Sequence, residues 1–427
     1  MIKKTKKKIY NLLRWTQKYT KTDMVYLAKG SFWLNLGTGI TSLAGLGLAI
    51  AFANLIPPET YGTFKFIISF SAILAIPTLS GMNQALVRAV AQGNEATFYP
   101  ALKTKLKWGV LGALGALVLS AYYLFQDNTT LGLSFLLIAG FIPFKTSFNF
   151  YSYYLSGKKD FKHLSQYQAI ARILVVISTV IALFLSQNLF LILLVYFAAT
   201  TLFRLFFLLL TLKKYPTNQN QDPSSIGYGK HLSLMGVLGT VASHMDKILL
   251  FHFLGPIQLA IYTFSTRPIK VMKKPLESLT KISLPKLSQR NAFKLKNTLP
   301  GKMIKFFLML LPLVGVYILL APYFYQLFFP QYLDSIVYSQ IFALSVLLYP
   351  GSLMGQTLTA HAKKKELYIL RTSTAVLKIA LFLILLPLWG VWGAITALLA
   401  AGVFGLLLNL LFFLKIKDNS KNQKEAE

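Results

Sequence analysis

Apolar stretches of roughly twenty residues recur along the whole chain, separated by short polar gaps, and that is the length an α-helix needs to cross a bilayer. Read in order, they predict spans near 31–54, 66–91, 106–126, 131–155, 166–186, 189–212, 231–254, 258–285, 303–328, 335–360, 367–387 and 391–414. The gaps alternate in character. One set carries Lys103/Lys105/Lys107, Lys158/Lys159/Lys162, Lys213/Lys214/Lys230, Arg290/Lys294/Lys296 and Lys363/Lys364/Lys365. The other reads Pro57-Pro58-Glu59, Asp127-Asn128, Gln187-Asn188, Gly255-Pro256, Gln331 to Asp334, and a tight turn at Gly390. Short loops rich in Lys and Arg stay on the cytoplasmic side. The alternation therefore predicts an all-α polytopic membrane protein of about twelve spans with both termini cytoplasmic.

Composition supports this class. Of 427 residues 55% are hydrophobic, the formal net charge is +31 and there is no cysteine. A soluble protein this basic would suggest nucleic acid, which the recurrent apolar runs argue against. The basic tails suit the anionic inner leaflet instead. The absence of Cys excludes disulfides, thiolate metal sites and Cys nucleophiles. Residues 1–30 are polar and Lys-rich and carry no cleavage pattern, so the first apolar run reads as a retained span. Ile9, Leu12, Leu13 and Trp15 among the lysines fit either an interfacial helix or a solvated basic tail.

The chain divides into a cytoplasmic basic segment 1–30, an N-lobe 31–212, a cytoplasmic linker 213–230, a C-lobe 231–414 and a cytoplasmic tail 415–427. The linker, with Pro216, Asn218, Asn220, Asp222 and Pro223, reads as polar and flexible. The halves echo one another. Leu55 to Phe64 after the first span resembles Leu254 to Phe264 after the seventh, and Leu155 to Lys159 after the fourth resembles Leu358 to Lys364 after the tenth. Two echoes at matching places point to duplication, a construction common in transporters.

Charges inside spans are costly, about 2.5–3.5 kcal/mol at mid-membrane, so they normally face a cavity or a partner. In the eighth span Arg267, Lys270, Lys274, Glu277 and Lys281 fall within about an 80° arc of one helix face. Snorkelling accounts for Lys281 and Lys274 near the inner surface. It does not account for Arg267 and Lys270, roughly 13–20 Å from the outer end. A water-filled lumen on that face is the better reading. Lys145, beside Pro143 and near Ser147 and Asn149, reads as cavity-facing. For Arg88, Arg172 and Arg204, snorkelling and substrate contact both stand. Asp246 and Lys247 point about 100° apart and need not pair; Asp246 is either a proton or cation site or a counter-ion. Lys378 faces either the lumen or a structural partner. His244 and His252, without Cys or clustered carboxylates, do not make a metal site. No HExxH, GxSxG or Walker A loop occurs, and the short outer gaps leave no room for a catalytic loop. No enzyme activity and no cofactor is expected.

Several segments together resemble a known family: Lys29-Gly30-Ser31-Phe32-Trp33, Pro58 to Phe64, Asp246 to Leu250, Leu254-Gly255, Ala260-Ile261-Tyr262, Leu284 to Ser288, Ala321-Pro322-Tyr323 and Gly390 to Ala394. The chain resembles the Wzx-type oligosaccharide flippases of polysaccharide biosynthesis, within the multidrug/oligosaccharidyl-lipid/polysaccharide (MOP) exporter superfamily. The resemblance implies a MATE/MOP-like bundle of two six-helix lobes around a central cavity, in the bacterial cytoplasmic (inner) membrane. It also implies a polyprenyl-diphosphate-linked oligosaccharide, such as an O-antigen, capsule or exopolysaccharide repeat unit, moved from inner to outer leaflet by alternating access. Membrane lipids, a polysaccharide polymerase and a coupling proton or sodium would be the partners. Expected substrate-binding residues are Arg267, Lys270, Lys274, Lys145, Arg88 and Lys247, with Asp246 and Glu277 in coupling and the first, second, seventh and eighth spans lining the cavity. Lipid II flippases keep an Arg where Arg267 stands but an acid where Lys270 stands, which argues against lipid II as the cargo. A multidrug or cation antiporter and, less favoured, a lipid II flippase or a membrane polysaccharide polymerase are the alternatives.

Overall fold

A computed structural model of the chain describes residues 24–288, 292–361 and 363–416, and every regular element among them is helical. The expected interfacial helix within residues 1–23, the tail beyond 416 and the side chain of Lys281 lie outside the described residues. The helices are α1 Met24–Leu55, α2 Pro58–Leu74, α3 Met82–Ala91, α4 Phe98–Phe125, α5 Thr129–Ser147, α6 Phe150–Gly157, α7 Phe161–Leu185, α8 Leu189–Lys214, α9 Ser224–Ser288, α10 Ala292–Phe328, α11 Ser335–Ala343, α12 Ser352–Ala360 and α13 Lys364–Leu414. The polar gaps supply their starts. Asn128 Oδ1 accepts from Leu131 N at 3.0 Å and Asn188 Oδ1 from Phe190 N at 2.9 Å, each satisfying an orphan donor of a first turn. Pro58 opens α2, where its missing N–H costs nothing.

Two helices are far too long for one crossing. α9 has 65 residues and α13 has 51, about 100 and 75 Å at 1.5 Å per residue against a hydrocarbon core of about 30 Å. Each is interrupted by one glycine in a conformation that L side chains rarely adopt: Gly255 at φ 80° and Gly390 at φ 57°. The chain folds back there. Tyr262 Oη donates to Asp246 Oδ2 at 2.8 Å, although sixteen positions on a straight helix would hold them about 24 Å apart. Among the described residues nine helices are long and apolar enough to cross a membrane, and the pair Pro58–Leu74 and Ile76–Ala91, bent by 46°, makes a tenth. Since two of the nine each fold into two arms at a glycine, the crossings come to twelve.

Three crossings are broken rather than straight. The second breaks at a 3-10 turn, Ile76–Thr78, the fourth between α5 and α6, and the tenth between α11 and α12. The first break explains a departure from the loop assignment of Lys105, which lies within α4 and is buried to 1% exposure. Its Nζ donates to the Leu79 carbonyl at 3.3 Å and to Asn83 Oδ1 at 3.1 Å. The Leu79 carbonyl also accepts from Met82 N at 3.0 Å, so Lys105 is a second donor to a carbonyl at the break.

The described chain forms two compact units, one built from residues up to Ala49 with Leu74–Gly236, the other from Ile50–Ile73 with Val237 onward. In the first, Phe98, Phe150, Tyr151, Tyr154, Leu164 and Phe207 anchor a core. In the second, the two turns that echo each other in sequence pack together. Tyr61 stacks on Phe264 at 4.6 Å, Phe264 meets Tyr332 at 4.0 Å, and Phe66 stacks on Phe251 at 3.9 Å. Gly62 lies so close to the Pro256 backbone that a Cβ would collide with its carbonyl.

The linker expected to be flexible is tied to the first unit instead. Asn218 Nδ2 donates to Gly93 O at 2.6 Å, Ala96 N to Asn220 O at 3.0 Å, and Asp222 N to Thr97 Oγ1 at 2.8 Å. Beside it Glu95 pairs with Lys158 and accepts from Tyr154 Oη at 3.1 Å. Asp160 accepts from Tyr215 Oη and lies 2.7 Å from His163 Nδ1. Partial burial opposes ionisation of both carboxyls, yet these hydrogen bonds hold each below its ordinary value. A carboxylate with a depressed folded-state pKa adds stability above its ordinary value and loses it as pH falls through the folded one. The melting temperature of the purified protein should therefore hold down to about pH 4.5, the ordinary Glu value, and fall below it. Glu95→Gln should cost about 1–3 kcal/mol at pH 7 and show a smaller acid-induced drop. An unchanged acid profile in that variant would remove Glu95 from the account.

Candidate functional site

Charges inside the spans form two clusters, one in each unit, with Arg88, Lys105 and Lys273 apart from them. In the second unit Gly255 folds the arms of α9 against each other, and this sets Asp246 opposite Tyr262. Asp246 is 3% exposed. Its Oδ1 accepts from the Lys247 backbone N at 3.0 Å and from Lys247 Nζ at 3.3 Å, and its Oδ2 from Tyr262. Adjacent residues thus do pair, because the long Lys247 side chain swings back to the only acid near it. Lys270 and Lys378 stand within electrostatic reach of the same carboxylate. Lys378 Nζ donates to Ala242 O at 2.7 Å, bringing α13 to the first arm of α9.

On the second arm, Thr263, Ser265, Thr266 and Ile269 are buried, whereas Lys270 and Glu277 are exposed and Arg267 and Lys274 half-buried. The stripe read from the sequence is thus the less buried face of this helix. Lys270 Nζ donates to Thr266 Oγ1 at 3.2 Å and sits 5.9 Å from the Tyr262 ring. Arg267 is near enough for its charge to act on the buried Tyr61 hydroxyl. Glu277 is within electrostatic reach of Lys273. Lys273 itself, absent from the sequence-derived site, points the other way and donates to Ser345 Oγ at 2.7 Å. There it is the one charged residue lining a cavity of about 370 Å³ with Ser352, Thr374 and Asn409.

Lys145 and Arg88 belong to the first unit, apart from each other. Arg88 is exposed in the last turn of α3, its guanidinium 5.3 Å from the Tyr228 ring. Lys145 lines a cavity of about 240 Å³ together with Arg172, Arg204, Asn149, Gln168 and Thr200. Its Nζ lies 4.4 Å from the Phe197 ring centroid, while Arg204 donates to the Lys145 carbonyl at 2.6 Å. The sequence left Arg172 and Arg204 open between snorkelling and contact; both converge on this cavity. No group of three or more His, Cys, Asp or Glu suited to a metal occurs among the described residues.

Residues 27–289 match the family described as "Polysaccharide biosynthesis protein", more than half of the chain. The chain belongs to that family. This multi-pass member has the fold of the MOP superfamily. A structure of the lipid II flippase MurJ in an inward closed conformation aligns with a TM-score of 0.71 at 16% identity, over 90% of this chain and 87% of that one. An inward-facing multidrug resistance MATE family transporter of the MOP superfamily aligns at 0.64 and 15% identity, over 89% and 96%. A MOP superfamily transporter from Pyrococcus furiosus, described as having reverse polarity of its binding pocket, aligns at 0.56 and 15%, over 91% and 95%. Among curated proteins no sequence matches the chain.

Tyr262 is the functional-site residue that sequence reasoning passed over. Its signal was present: with a turn at Gly255, positions nine before and seven after it lie at similar depth. Tyr262→Phe should leave a buried carboxylate oxygen without its donor and cost about 1.5–3 kcal/mol, the range for hydrogen bonds to charged groups. Unfolding of the detergent-solubilised protein measures this. A wild-type melting temperature in the variant would assign Asp246 to Lys247 alone.

Proposed function

We propose that this transporter moves a polyprenyl-diphosphate-linked oligosaccharide from the inner to the outer leaflet of the bacterial cytoplasmic membrane by alternating access. The observation that carries the reading is the exposed cationic stripe of α9. Arg267, Lys270 and Lys274 lie on the less buried face of a helix whose other faces are packed, within a family of polysaccharide biosynthesis. Diphosphate oxygens are strong acceptors for charge-assisted bonds, and Arg adds a forked geometry. A flippase for lipid II shares the fold, which supports a lipid-linked cargo. A carrier of cationic drugs would want carboxylates where this stripe places lysines. In this reading Arg267 and Lys270 hold the diphosphate. Asp246, buffered by Lys247 and Tyr262, alternates between ion or proton and lysine partner as the cavity switches sides.

Complementation of a flippase deletion at matched protein levels is the test. Loss of one charge-assisted contact at Arg267→Ala or Lys270→Ala should cost about 1.5–3 kcal/mol, or about one to two decades of affinity. Arg267→Lys should recover part of it. Ala variants restoring surface glycan at the wild-type rate would dismiss the diphosphate clamp. In the same assay Asp246→Asn should change the pH or ion dependence of transport, and retention of both would leave it a structural role.

The loop charges also orient the chain with both termini cytoplasmic. Reporter fusions at Asn128 and Gln187 should read as external and those at Asn220 and Lys364 as cytoplasmic. An external signal at Asn220 would overturn that orientation.

A further inference from the structure

The cavity of the first unit has chemistry of its own. Three cations from three helices line it, Lys145 from α5, Arg172 from α7 and Arg204 from α8, and no carboxylate is among its lining residues. Like charges gathered in low dielectric repel, and a bundle tolerates them only with water or a negative partner. The protein meets part of this demand itself. α5 ends at Ser147, and Arg204 donates to the Lys145 carbonyl in its last turn. Lys145 in turn lies over Phe197. One bond uses one of five donors of the Arg204 guanidinium. The Arg172 guanidinium also borders the cavity.

A second, independent sign comes from Thr200. It is 6% exposed, lines the same cavity, and its hydroxyl has no hydrogen-bond partner among the described residues. A buried hydroxyl is seldom left so. The cavity of the second unit, with one lysine already bonded to Ser345, is no counterpart, so a basic interior is not simply what such bundles have. At about 240 Å³ the space is below the roughly 300–1,000 Å³ typical of drug-sized ligands, which suits one small group and not a glycan chain.

We propose that this cavity binds a single oxyanion of the phosphate, sulfate or carboxylate class. Arg172 and Arg204 act as forked donors, Lys145 as the point charge, and Thr200 with Asn149 or Gln168 as neutral donors. The site lies in the other unit from the α9 stripe and goes beyond the flippase reading. The anion is either free in the cytoplasm or the acidic group of a sugar on the cargo, and the test separates the two.

Full-length protein in detergent, at constant ionic strength in chloride, is titrated with inorganic phosphate, sulfate and glucuronate, with glucose as control, by calorimetry and thermal shift. Saturable binding of at least one oxyanion is expected. It should weaken about ten- to hundredfold in Arg172→Gln and measurably in Thr200→Val. Phosphate or sulfate without glucuronate identifies a free inorganic ion; glucuronate without glucose identifies an acidic sugar. No saturable binding in the millimolar range overturns the proposal. So does binding that survives both Arg172→Gln and Thr200→Val, because it then belongs to a site elsewhere in the protein.

Discussion

A charge inside a bilayer has to be solvated or partnered, and this chain must do so with few acids: 44 Lys and Arg against 13 Asp and Glu. Much of the interior follows from that shortage. Backbone carbonyls take the place of carboxylates. Lys105 bonds the Leu79 carbonyl where the second crossing breaks, Arg204 the Lys145 carbonyl near the end of α5, and Lys378 that of Ala242. Helix breaks therefore do more than bend the crossings. They present partial negative charge at depths where no side chain offers a full one.

Asp246 is the exception, and its surroundings show what one buried carboxylate among cations requires. Lys247 and Tyr262 occupy its oxygens, and Lys270 and Lys378 stand close by. This depends on a single backbone feature, the positive φ of Gly255 that turns α9 back on itself. The same turn brings Phe264 against Tyr61 and Tyr332 and sets Pro256 against Gly62. One glycine thus fixes both an electrostatic cluster and an aromatic packing layer.

The two units handle their cations differently. In the second, the stripe on α9 alternates exposed with half-buried charges on one face, the arrangement of a surface meant to be wetted. In the first, Lys145, Arg172 and Arg204 line one small cavity. The family is one of polysaccharide biosynthesis and the fold is that of the MOP superfamily, and fold comparison at 15–16% identity does not carry the sign and placement of these charges.

The class, the crossings and their turns were legible in the sequence because each rests on local physics. Twenty apolar residues make a span, Asn128 and Asn188 cap a helix, and Gly255 and Gly390 turn one, whatever the rest of the chain does. The stripe Arg267, Lys270, Lys274 and Glu277 was legible too, since helical periodicity alone puts it on one face. Only tertiary structure decided that Lys105 is buried, that Lys247 reaches back to Asp246, that Arg172 and Arg204 join Lys145, and that Asn218 and Asp222 tie down the linker. Those outcomes depend on where helices break and which ones pack together. The partners are tens to more than a hundred residues apart in most of these contacts, beyond the reach of periodicity, propensity or turn chemistry.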